Sequence, residues 1–258
     1  MIPRGMSIRT RFSWLLANWL KVASASMTRS TKAILHEHAK QRSDYKSVWN
    51  ELSDTEDQAK MHVQGTVEED EFRGAAEATK RDMEATVGIK PDDEVLEIGC
   101  GIGRVGMVIA PLCKRWIGCD VSSNMLRHAA QRLSQHKNVS LIELSGFDLG
   151  PIADESVSLV YCTIVFMHLE EWDRFNYVLE AYRVLRPGGR VLIDNFNLCS
   201  DEGWSVFEQH RAYPPDQRHP AISKSSTPQE IETYLHRAGF ESVKVQLSGA
   251  WVRGWGKK

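Results

Sequence analysis

From residue 94 onward, short apolar runs alternate with longer stretches whose apolar residues recur every three or four positions. The runs are Val95–Ile98, Trp116–Asp120, Val139–Leu144, Ser156–Cys162 and Arg190–Phe196. Runs of this length, rich in β-branched residues and bounded by turn residues, predict buried strands. Between them, helical spacing picks out Val105, Val108, Ile109 and Leu112, then Met125, Leu126, Ala129, Ala130 and Leu133. A third stretch, Glu170 to Arg186, aligns Trp172, Phe175, Leu179, Tyr182 and Leu185 on one face. Strands alternating with helices predict an α/β domain around a parallel sheet. Residues 197–226 show no period and predict a long loop. Thr227-Pro228-Gln229-Glu230 has the form of a capping box with proline at the first helical position, and Gly239 ends that helix. Phe240–Leu247 and Gly249–Trp255 predict a closing hairpin.

Upstream, Glu68 to Val87 predicts a helix with Phe72, Ala76, Met83 and Val87 as its stripe. Residues 43–64 predict a polar helix with Tyr45, Val48, Trp49 and Leu52 on one face, ended by Gly65. Ile8, Phe12, Leu15, Trp19 and Val22 recur at helical spacing within a segment that carries eight basic residues and one acid from Met1 to Arg42. Four readings of residues 6–26 stay open: a membrane-surface helix, a transit-like leader, a lid, or a helix packed on the domain. The expected organisation is an N-terminal helical extension over residues 1–64 and a catalytic domain over 65–258.

Charge adds little direction. Thirty-two basic and 34 acidic residues give a net charge of -2, which offers no global attraction for nucleic acid. Five cysteines with no CxxC pair suit a reducing, cytoplasmic setting and no zinc site.

The chemistry concentrates where the first strand ends, at Glu97-Ile98-Gly99-Cys100-Gly101-Ile102-Gly103-Arg104. Glycines at alternate positions before a helix make a cradle in which a ligand lies against bare backbone near free N–H groups. Gly101 to Gly106 also satisfies the dinucleotide fingerprint GxGxxG, with Asp120 at the distance of a ribose-binding acid. Glu97, two residues before the first glycine, makes the segment resemble the first motif of class I S-adenosylmethionine (SAM)-dependent methyltransferases. Leu185-Arg186-Pro187-Gly188-Gly189-Arg190-Val191-Leu192-Ile193 resembles the helix-to-strand junction of the same family.

The resemblance covers roughly residues 65–255. It implies a doubly wound, Rossmann-like, mostly parallel seven-stranded sheet whose last strand is antiparallel, and SAM as cofactor. It implies that Glu97, Gly99, Cys100, Gly101 and Gly103 hold the methionine part. Asp120 and Val121 would hold the ribose side, with Met125 beside the adenine. Asp148 would bond the adenine amino group between Phe147 and Leu149. Cys162, at the end of the fourth strand, would face the cofactor, and the helix before the glycine motif would help cover it. His168, just past that strand, is the candidate base for an acceptor that carries a proton.

Two acceptor classes fit poorly. Asp194 and Asn195 stand where catechol-type methyltransferases place metal ligands, but Thr163–Leu169 lacks the further acid those enzymes need. Ile164-Val165-Phe166-Met167 lacks the Asn/Asp-Pro-Pro-aromatic sequence of base-amino methyltransferases. The expected acceptor is a small molecule or lipid-like compound. An NAD-dependent oxidoreductase using the same loop, and a non-catalytic SAM-binding or partner-binding module, are the alternatives.

Overall fold

The computed structural model describes residues 44–258. The basic segment 6–26, with its membrane, leader and lid readings, lies outside the described residues. Tyr45–Lys258 forms one compact unit. The two helices expected to belong to the extension, α1 (Tyr45–Glu51) and α2 (Glu56–Gln64), are part of it. They were expected as one helix. Thr55 separates them, because its side chain accepts the Gln58 N–H while the Gln58 side chain returns to the Thr55 N–H. Thr55 and Gln58 carry the capping-box pattern in the sequence itself. Helix α3 (Glu69–Thr86) then buries Phe72, Ala76 and Met83, the stripe its spacing predicts.

The sheet carries eight strands: β1 (Glu94–Ile98), β2 (Arg115–Asp120), β3 (Val139–Glu143), β4 (Val157–Cys162), β5 (Leu185–Asn197), β6 (Ser225–Ser226), β7 (Glu241–Ser248) and β8 (Trp251–Lys257). Their order is β3-β2-β1-β4-β5-β8-β7. The first five pair in parallel, and β8 runs antiparallel to both β5 and β7. The expected seven-stranded path is present. The two-residue β6 adds an eighth strand beside the end of β5.

Alternation along β1 sends Leu96 and Ile98 to one face and Val95 and Glu97 to the other. On the first face, Leu96, Val160 and Ile193 pack against α6 (Glu171–Val184) and α8 (Pro228–Ala238). On the second, Val95, Leu159 and Leu192 pack with Met83 of α3, Ile109 of the short α4 (Gly106–Ile109) and Trp116. Both faces are thus covered, as a parallel sheet requires.

Three helical details depart from the sequence reading. The buried face of α6 is Asp173, Arg174, Tyr177, Val178, Ala181 and Val184, while Trp172 and Leu179 are exposed. Buried charge misled the pattern: Arg174 donates to Phe166 O, Leu169 O and Ser226 Oγ and pairs with Glu230. In α5 (Ser123–Arg132), His128 takes a buried place and Ala130 is exposed. The stretch 197–226 is not a bare loop; it contains α7 (Asp201–Arg211), capped by Ser200. Only Gly203 of α7 is buried, so its sequence carries no stripe to find.

β5 also begins earlier than expected, at Leu185. Pro187-Gly188-Gly189 lies inside the strand, where Gly188 N–H and Gly189 O pair with Lys258. Among the described residues no helix is long and apolar enough to cross a membrane.

Candidate active site

The glycine loop is shaped by backbone bonds across β2. Gly99 and Cys100 both donate to Cys119 O, at 2.7 and 2.8 Å. Gly99 and Gly101 have φ of 71° and 51°, in the left-handed region that side chains avoid. A Cβ on Gly99 would sit inside the Val165 side chain, and one on Gly101 would come within 3.1 Å of Val63 Cγ2. The loop is bare because chain crosses it closely on both sides.

Asp120, at the end of β2, holds this loop with one oxygen and the next helix with the other. Its Oδ2 accepts the Gly101 N–H at 2.8 Å, and its Oδ1 accepts the Ser122 N–H at 2.9 Å. Burial raises its pKa to about 6, against the opposing effect of these N–H donors. Glu97 is buried beside it. Tyr161 donates to Glu97 Oε2 at 2.5 Å and accepts from Trp116 Nε1 at 3.0 Å. Burial lifts the Glu97 carboxyl to about 8.

These residues line one cleft that is partly open to solvent. Val121 and Met125 contribute from the Asp120 end. The far wall is the segment after β4: Thr163, Ile164, Val165 and His168. Ile164 has φ of 62°, a strained value for a β-branched residue, and its N–H donates to Asp194 Oδ1 at 2.8 Å. Thr163 Oγ1 is buried without a hydrogen-bond partner. His168 Nδ1 donates to Ala221 O at 3.0 Å. In the neutral ring that leaves the Nε2 lone pair free to accept. Burial lowers the His168 pKa to about 4, so the imidazole is neutral near pH 7.

The first two helices roof the cleft. Tyr45 and Trp49 of α1 and His62 and Val63 of α2 line it. The Trp49 ring meets His168 edge-on at 4.7 Å. Tyr45 donates to Asp173 Oδ2 at 2.7 Å, which ties α1 to α6. Asn50 Oδ1 accepts from Ser122 Oγ at 2.9 Å, and Asn50 O accepts from Asn124 Nδ2 at 3.0 Å. His128 Nε2 meets Ser53 O at 3.1 Å. Sequence reasoning missed this roof. Its signal was two aromatics on the inner face of a polar stretch, which also describes ordinary packing. The expected cover, α3, does not line the cleft.

The structure thus gathers Glu97, Gly99, Cys100, Gly101, Asp120, Val121, Met125 and His168 around one space. It does not bring Gly103, Phe147, Asp148, Leu149 or Cys162 there. Gly103 allows α5 to pack, since a Cβ would lie 2.8 Å from Leu133 Cδ1. Phe147 is 62% exposed, whereas Leu149 and Cys162 are buried in the core. Asp148 closes a local turn by accepting from Ser145 Oγ and Gly150 N–H, both at 3.1 Å. The residues that do line the cleft from this loop are Leu144 and Gly146.

Comparison with known proteins agrees with this geometry. A family model described as a methyltransferase domain matches residues 96–193. A protein of Mycolicibacterium smegmatis described as a probable S-adenosylmethionine-dependent methyltransferase is 33% identical over 150 residues, which is 57% of this chain and 52% of that one. Phosphoethanolamine N-methyltransferase 1 of Zea mays is 26% identical over 71% of this chain and 31% of its own length. The chain thus spans about half or less of these relatives. Magnesium protoporphyrin IX methyltransferase from Synechocystis PCC 6803, solved with bound S-adenosylhomocysteine (SAH), shares the fold: the TM-score is 0.61 at 14% identity, over 83% of this chain and all of that one. With the glycine loop, the Asp120 carboxylate and the strand order on one sheet, residues 96–193 match the methyltransferase domain model, and the sheet has the fold of solved SAM-dependent methyltransferases.

Proposed function

We propose that this protein transfers a methyl group from SAM to a small-molecule or lipid-like acceptor that enters between the roof and the segment after β4. The observation that carries the reading is the single cleft in which the glycine loop and Asp120 face His168 and Thr163. The cleft fits the cofactor by its chemistry. Bare glycine backbone, a buried carboxylate and the unpartnered Thr163 hydroxyl leave polar capacity that the protein itself does not use.

SAM supplies a methyl on a positively charged sulfur, ready for in-line displacement. The protein's part is alignment, which contributes ~7–11 kcal/mol when reacting atoms are held in a near-attack geometry. Glu97, the glycine loop, Asp120 and Met125 fix one reactant. Trp49, Thr163 and His168 face the other. The Thr163 hydroxyl can donate, and the neutral His168 Nε2 can accept. That pair suits an acceptor hydroxyl or amine that brings both a lone pair and a proton. Burial keeps the His168 ring neutral, so its part is to accept a hydrogen bond from the acceptor's proton and aim the lone pair at the methyl.

Calorimetric titration with SAH, and with NADH in parallel, tests the cofactor. One-site binding of SAH and none of NADH is expected; binding of NADH alone would replace the reading with an oxidoreductase. Incubation with SAM and a panel of amines, alcohols and thiols, read by mass spectrometry, tests the acceptor. Binding of SAH with no turnover across that panel would leave a SAM-binding module.

A further inference from the structure

We propose that Arg104 is the anchor for a carboxylate, that of the amino-acid end of the cofactor, with Glu97 beside it facing the α-ammonium. The proposal rests on the SAM reading and adds a residue to it. Arg104 follows the glycine loop directly, lines the cleft and is only 3% exposed. Its Nε is buried with no hydrogen-bond partner, and the guanidinium makes no ion pair with a described residue. A guanidinium carries five N–H donors and cannot discharge itself by losing a proton. Buried charges of this kind are normally paired.

The neighbouring acids do not meet that need. Glu97 and Asp194 act on Arg104 only through space. Glu97 accepts from Tyr161, and Asp194 from the Ile164 N–H. Arg104 is also the one arginine or lysine among the described residues lining the cleft, against two carboxylates, Glu97 and Asp120. Of the two, Glu97 acts on Arg104 through space, while Asp120 is occupied by the Gly101 and Ser122 N–H groups.

A planar guanidinium matches a carboxylate in bidentate fashion. An acid beside it disfavours a phosphate but suits the ammonium of a zwitterion. The pair Glu97 and Arg104 is therefore complementary to an α-amino acid.

The test compares SAH with 5′-methylthioadenosine, which lacks the amino-acid end, by calorimetry on the full chain. Arg104→Met should weaken SAH by about 100-fold and leave methylthioadenosine within about twofold, with Arg104→Lys recovering part of the loss. Thermal unfolding without ligand separates this from a structural role: Arg104→Met should melt at the wild-type temperature or above it, because an unpaired buried charge has gone. Unchanged SAH affinity in Arg104→Met would overturn the proposal and leave the cofactor reading standing. Equal losses for both ligands, or a lowered ligand-free melting temperature, would overturn it too. Wild-type protein that binds no SAH would overturn both.

Discussion

Cofactor binding should expel a proton near pH 7. The buried Glu97 carboxyl, raised to about 8, is roughly nine-tenths protonated at that pH in the ligand-free protein. An ammonium group arriving beside it favours the ionised form, so each SAH bound should release about 0.9 proton. Asp120, at about 6, is already almost fully ionised near pH 7 and adds only about 0.1. By the same linkage Glu97 alone should make the affinity rise nearly tenfold between about pH 6 and 7, with about twofold more from Asp120, and flatten close to 8. Titration in two buffers of different ionisation heat counts the protons directly. Glu97→Gln should abolish the release while keeping the Tyr161 contact. A wild-type release below about 0.2 proton, or the same release in Glu97→Gln, would refute the reasoning. Either result would mean that Glu97 does not meet a cation.

Further outcomes follow from the same geometry. Asp120→Ala strips the acceptor from a loop N–H and from the N–H at the cap of α5 as well as from a ribose, so it should cost about 2–4 kcal/mol in urea unfolding in addition to weakening SAH. Gly99→Ala meets Val165 at a positive φ and should cost about 1–3 kcal/mol; Val165→Ala in the same chain should restore part of it, measurable as a double-mutant cycle. His168 is held neutral. Between pH 6.5 and about 4 the unfolded chain takes up a proton that the folded ring refuses, so stability is full above 6.5 and falls as the pH drops through that window. The loss reaches about 3 kcal/mol, and His168→Phe should flatten it in denaturation curves taken across those pH values. Replacing Arg174 with Met removes the hydrogen bonds that tie Phe166, Leu169 and Ser226 together and should cost about 3–5 kcal/mol in the same assay.

The parts of the fold legible in the sequence are those where one physical demand dominates. β1 reads as a strand because both its faces are buried, and the loop after it reads as a cradle because only glycine tolerates its angles. The start of α8 is legible at Thr227, whose side chain does accept the Glu230 N–H. The Glu230 side chain reaches Arg174 instead of returning to the cap. That long-range pairing also hides the true inner face of α6, since Asp173 and Arg174 look like surface residues until their partners are known. Asp148 is the opposite case, an acid that closes a local turn outside the cleft lining. A turn acid and a ligand-binding acid have the same local sequence, and only the path of the chain separates them. The roof was illegible because Tyr45 and Trp49 find their partners, Asp173 and His168, more than a hundred residues away.

Because α1 and α2 are fastened to the start of α5 through Asn50 and Ser53, the roof carries a clock as well as a wall. Parting those polar latches would open a second way out past Trp49 and Val63, so residence time should depend on the latches as well as on the contacts of the ligand. Weakening Asn50 should shorten the stay of product and speed its exchange even where equilibrium affinity barely moves. The same change would make the amides of α1 exchange with solvent at the pace of release, tying turnover to the motion of one short helix.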